Sequence, residues 1–97
     1  MANYVLSFRG QSGRKPSAEE ETEWEAWFQQ IGASVVDFGH RVARSSMLGT
    51  GRSDGSELGG YVLITAGDLE EAVGLAKGCP GLRHGGAVEV GETVEMA

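Results

Sequence analysis

The chain has 97 residues, 40% of them hydrophobic, and a formal net charge of −6 from 14 acidic and 8 basic side chains. That length allows one domain with a small core, the apolar content excludes an intrinsically disordered chain, and the charge argues against nucleic acid or an anionic membrane as partner. No run approaches the ~20 apolar residues of a membrane span, the first ten residues lack a signal-peptide core, and the single cysteine, Cys79, leaves no intramolecular disulfide and fits a reducing cytoplasm.

Residues 3–9 form the first predicted strand, with Tyr4, Leu6 and Phe8 on one face and Val5, Ser7 and Arg9 on the other. The polar loop of residues 10–16 is either a solvated connection or a pocket mouth where Arg9, Arg14 or Lys15 meets an anionic ligand. The first helix is sharply bounded. Ser17 and Glu20 have capping-box spacing, Pro16 blocks extension backwards, and Glu19, Glu20 and Glu21 suit the positive end of the helix dipole. Trp24, Trp27, Phe28 and Ile31 fall on one face, and Gly32 ends the helix. The tryptophans read as core, with ligand stacking as the alternative. The five glutamates of residues 19–25 read as a solvated face, because no histidine stands beside them at metal-ligand spacing.

Residues 33–42 form the second predicted strand. Val36, Phe38, His40 and Val42 alternate with Val35, Asp37, Gly39 and Arg41, so Asp37 and His40 lie on opposite faces unless Gly39 marks a bulge. Residues 43–57 turn polar and predict a mobile hairpin or flap, with a turn at Asp54-Gly55. Gly49-Thr50-Gly51 has the look of a phosphate loop. A dinucleotide loop, however, leaves a strand and opens a helix, and here another strand follows.

That third strand covers residues 61–66, after Gly59-Gly60. The second helix starts at Asp68, with Glu71 completing a capping box and Leu69, Ala72, Val73 and Ala76 forming an apolar face. Gly78 supplies a left-handed stop and Pro80 prevents continuation. Residues 87–96 form the last strand, with Val88 and Val90 on one face. The order β-α-β-β-α-β predicts an α+β, ferredoxin-like fold: a four-stranded antiparallel sheet with two helices on one face. The strands carry apolar residues on both sides, so the other sheet face needs cover. A second copy of the same sheet supplies it in a homodimer.

The segment GGYVLITAGDLEEAVGLAKGCPGLRHGGAVEV (59–90) carries a Gly-Tyr strand, an Asp-Leu-x-x-Ala helix, a Cys-Pro break and a Gly-Gly-x-x-Glu-Val final strand. AWFQQIGASVVDFGHRV (26–42) carries a Trp-Phe helix end, a glycine and a Val-Val-Asp strand. In both, the chain resembles the YCII-related family, over nearly all of residues 1–97 except the 44–57 loop. The resemblance implies a single domain, a ferredoxin-like protomer, and sheet-to-sheet pairing as a dimeric α/β barrel. Members are mostly small, soluble and uncharacterised. In some of them a His–Asp pair in the pocket, with its histidine on the first helix, has been put forward as an active site. Residues 17–32 hold no histidine here, which leaves Asp37 and His40 as the substitute pair.

Two functions follow. The first is a small-molecule enzyme with its cleft between the helices, the sheet and the 44–57 loop. His40 is the candidate acid–base group, because imidazole titrates near neutral pH. Asp37 would orient it, Arg41 or Arg44 would hold an anionic substrate, and Tyr61 would donate a proton or a hydrogen bond. The second is a non-catalytic binding or accessory module that holds a small hydrophobic or aromatic molecule between Trp27, Phe38 and Tyr61. Convergence of the polar groups in one pocket would favour the enzyme. No cofactor or metal is implied. His84 is assigned to an exposed loop. Cys79 follows a helix C-terminus, where the dipole raises a thiol's pKa, so it is not a candidate nucleophile.

Overall fold

Alternating apolar residues draw four segments of the chain into one antiparallel sheet. The computed structural model describes residues 1–11, 14–50 and 55–95. The elements are β1 (Ala2–Gln11), α1 (Ala18–Ile31), β2 (Val35–Asp37), β3 (Ser56–Ala66), α2 (Leu69–Ala76) and β4 (Ala87–Glu92), with 3-10 turns at Gly32–Ser34 and Pro80–His84. The sheet order is β2-β3-β1-β4, which is the ferredoxin-like α+β fold expected from the element order.

Register places Tyr4 opposite Ile64 and Leu6 opposite Val62, with Val90 and Val88 continuing the same face on β4. These side chains pack with Trp27, Ile31, Ala72 and Ala76 from the two helices to form the core. The alternate residues Val5, Leu63 and Thr65 lie on the opposite sheet face, only half-buried, where no described helix covers them. Both helix starts follow the capping pattern. The Ser17 hydroxyl accepts from the Glu20 amide at 3.1 Å, and Asp68 accepts from the Glu71 amide at 2.8 Å.

Several expected boundaries move. The second strand ends at Asp37 rather than running through residue 42. The Asp37 carboxylate accepts the Gly39 amide at 2.8 Å, and Gly39 takes a φ of +66°, so the chain turns out of the sheet. A Cβ at Gly39 would stand 2.0 Å from the Tyr61 carbonyl oxygen, a close approach that only glycine permits. The chain then returns to β3, where Arg41 bridges Gly60 and the Val42 amide donates to the Gly59 carbonyl at 2.9 Å. β3 extends back through Gly59-Gly60 to Ser56, with a register shift opposite Phe8 and Arg9.

Gly78 does not make a left-handed stop. The helix ends at Ala76, and the left-handed glycine of this region is Gly85, after the turn that Pro80 opens. Gly78 serves packing instead, since a Cβ there would sit 3.0 Å from the Trp27 indole. The last strand stops at Glu92. Gly51, Asp54 and Met96, which complete the expected phosphate-loop look-alike, the Asp-Gly turn and the strand end, lie outside the described residues, as does the middle of the expected flap.

Candidate active site

The excursion at Gly39 decides where His40 goes. Its Nδ1 lies 3.1 Å from the Tyr61 hydroxyl, within hydrogen-bond distance. A bulge at Gly39 had been the condition for bringing His40 to Asp37. The break occurs, but it delivers the imidazole to Tyr61, while Asp37 is occupied by the Gly39 amide. Asp37 therefore shapes the turn that carries His40 and does not touch the ring.

His40 and Tyr61 line a pocket of about 740 Å³ formed by the end of β1, the start of α1, residues 38–43 and the 3-10 turn Pro80–His84. One wall is aromatic. Phe8 meets Trp24 edge-on at 5.1 Å between ring centroids, Trp24 meets Phe28 at 5.8 Å, and Phe28 meets Phe38 at 5.9 Å. Arg9, Arg14 and Lys15 also line it, as a pocket-mouth role for the polar loop requires. Arg41 lines it with its side chain exposed. Arg44 and Trp27, both expected to bind ligand, do not line it. Trp27 is 3% exposed, with its indole N–H donating to the Leu75 carbonyl at 3.2 Å, which makes it a core residue tying α1 to α2.

The tryptophan facing the pocket is Trp24, on a helix stripe with Glu20 and Phe28 at spacing of four. Glu20 departs from the solvated face expected of the acidic run. It is 3% exposed, ion-paired with Arg14, and accepts from the Trp24 indole at 3.2 Å. The Arg14 guanidinium, helped by Trp24, holds the Glu20 carboxyl below the usual carboxylate range, although burial pushes the other way. Glu20 thus caps nothing with its side chain, and the expected capping box is only half formed. Its neighbour Glu23 accepts from Arg83 at 3.0 Å and pairs with His84 at 2.9 Å; the bond to His84 is the main cause holding its carboxyl low. His84 is consequently a half-buried pocket residue rather than an exposed loop one. The signal for Glu20 was present as the i, i+4, i+8 stripe with Trp24 and Phe28. The pairing of His84 with Glu23 spans 61 positions, and no local pattern encodes it.

Among the described residues no group of three or more His, Cys, Asp and Glu side chains could hold a metal ion, and no helix is long and apolar enough to cross a membrane.

A solved structure with a similar architecture is 5-chloro-2-hydroxyhydroquinone dehydrochlorinase (TftG) from Burkholderia phenoliruptrix AC1100, in complex with 2,5-dihydroxybenzoquinone. The likeness is one of fold. It has a TM-score of 0.59 at 15% sequence identity and covers 97% of this chain and 95% of that one. No protein-family model matches the chain, and no curated protein matches it at a significant level.

Chemically, the pocket offers flat apolar walls for a ring, basic side chains near its mouth, and a His–Tyr couple. In that couple either the Tyr61 hydroxyl donates to a bare Nδ1 or a protonated Nδ1 donates to the Tyr61 oxygen.

Proposed function

We propose that the chain is a YCII-like small-molecule enzyme that binds a small planar ring compound in this pocket and uses His40 as its acid–base group. The carrying observation is the His40–Tyr61 hydrogen bond at the edge of an aromatic-walled pocket. The ring would stack on Trp24 and Phe38, and Arg41 would meet an anionic substituent. His40 would take or give a proton at a ring hydroxyl, with Tyr61 holding the imidazole in place. The 2,5-dihydroxybenzoquinone of the similar structure is a compound of the size and flatness this pocket would take. The protein would act as a homodimer in the manner of a dimeric α/β barrel, covering the half-buried sheet face of Val5, Leu63 and Thr65 with its copy on the partner.

A second reading, a non-catalytic binding module, is favoured by one observation. His40 is exposed and has no carboxylate partner among the described residues, because Asp37 is bound to Gly39. Calorimetric titration with 2,5-dihydroxybenzoquinone tests both. The enzyme reading expects saturable binding that His40→Gln weakens by about 1.5–3 kcal/mol, the worth of a hydrogen bond to an ionised ligand, and that Tyr61→Phe weakens by freeing the imidazole. Binding unaffected by either substitution leaves the module, and absence of binding refutes this ligand class.

A further inference from the structure

The chain holds two histidines, and both line the same pocket. His84 sits on the 3-10 turn Pro80–His84, packed against α1. Its Nε2 lies 2.9 Å from Glu23 Oε1. Its Nδ1 is 3.8 Å from Glu20 Oε1, too far for a hydrogen bond and close enough for charge attraction. The charged groups around the ring are Glu20 and Glu23 on α1, Arg14 on the segment before it, and Arg83 on the ring's own turn. Arg14 is engaged by Glu20 and Arg83 by Glu23, so neither cation is free to hold the ring's open nitrogen.

A carboxylate that accepts from one imidazole nitrogen fixes the ring's tautomer and orientation and leaves the other nitrogen as a base. With Nε2–H donating to Glu23, Nδ1 carries the lone pair, and it has no hydrogen-bond partner among the described residues. We propose that His84, oriented by Glu23, is a second acid–base group of the pocket and takes a proton from a bound ligand at Nδ1. The inference rests on the pocket being a ligand site, as argued above, and adds a catalytic residue to it. Nδ1 accepts a proton from a ligand O–H, the bonding pair stays on the ligand oxygen as an anion, and the imidazolium lies between Glu23 and Glu20. Return of the proton to the ligand restores both.

The alternative role for His84 is to tie the turn to α1, and two measurements separate the roles. The first is acylation of the folded wild-type protein by diethyl pyrocarbonate, mapped by mass spectrometry. A neutral, open imidazole nitrogen attacks a carbonyl of this reagent, expelling ethyl carbonate, and the test requires no knowledge of the ligand. Modification of both His40 and His84 is expected; a His84 that stays unmodified while His40 reacts overturns the proposal. The second is titration with 2,5-dihydroxybenzoquinone from pH 5 to 8, comparing wild type with His84→Gln and Glu23→Gln. Gln keeps a hydrogen bond to Glu23 and preserves the tie. His84→Gln is expected to keep the wild-type melting temperature, to weaken binding by about tenfold or more, and to reduce its pH dependence. Unchanged affinity and pH profile, or a change that merely tracks lost stability, assigns His84 to structure. If wild type does not bind the quinone, the ligand class above fails, and the acylation result alone decides the openness of His84.

Discussion

Trp27→Ala is the sharpest test of the packing scheme. The indole is 3% exposed and lies against Phe8, Trp24 and Phe28, with ring centroids 5.8, 5.7 and 5.2 Å away. Truncating a buried Trp to Ala removes its transfer free energy and leaves a cavity, together about 3–5 kcal/mol. The substitution also strands the Leu75 carbonyl, for about 1 kcal/mol more. Against a total of about 5–15 kcal/mol for a domain of this kind, the variant should sit near its folding threshold. Guanidinium denaturation followed by far-UV circular dichroism reads the effect. With an m-value of about 2–3 kcal/mol/M, the midpoint should fall by about 1.3–3 M. Trp27→Phe serves as a control, keeping most of the ring and losing the donor, and should cost about 1–3 kcal/mol. A Trp27→Ala variant that loses less than about 1 kcal/mol with a native spectrum would mean that the ring is not core, and the assignment of Trp24 rather than Trp27 to the pocket would fall with it.

Glu20 is held low in the folded state by Arg14 and Trp24, so its contribution is present above the carboxylate's unfolded pKa and is lost as pH falls through the lower folded value. Glu20→Gln should therefore reduce stability at pH 7 and flatten the acid limb of the stability–pH curve, measured by thermal melts from pH 2 to 7; a parallel curve refutes the pairing. Gly39→Ala places a methyl group 2.0 Å from the Tyr61 carbonyl oxygen at a left-handed φ, so it should shift residues 38–42 and break the His40–Tyr61 contact. Tyr61 and His40 resonances unchanged by NMR would show the turn to be more tolerant than argued. Light scattering behind size exclusion at micromolar concentration should give a dimer mass, and Leu63→Lys on the uncovered sheet face should yield a monomer with its fold intact. A wild-type monomer would remove the barrel.

The fold was legible because its signals are local. The alternation of Tyr4, Leu6 and Phe8, the caps at Ser17 and Asp68, and the element order are each written within a few residues, and they led to the ferredoxin-like sheet. The differences arose where one side chain's choice of partner overrode the repeating pattern. Asp37 and His40 alternate as a strand would, but the Asp37 carboxylate finds the Gly39 amide and ends β2. Glu20 resembles its acidic neighbours, yet Arg14 and Trp24 draw it inside. Trp24 and Trp27 share one helical face in the sequence; only the sheet's position beneath α1 makes one a pocket wall and the other core. Of the residues expected at the site, His40, Tyr61 and Arg41 line the pocket, and His84, expected in an exposed loop, lines it as well.

The brevity of β2 has a consequence for how copies of this chain can meet. A sheet exposes unpaired amides and carbonyls along its two outer strands, and a long flat edge invites another strand to add to it. Here one outer strand is three residues long and breaks away at Gly39, while the other, β4, carries Glu89 and Glu92. Like charges would oppose one another if two β4 edges approached. Growth of the sheet sideways into fibres is thus discouraged at both ends, which leaves the broad face of Val5 and Leu63 as the apolar sheet surface that no described helix covers.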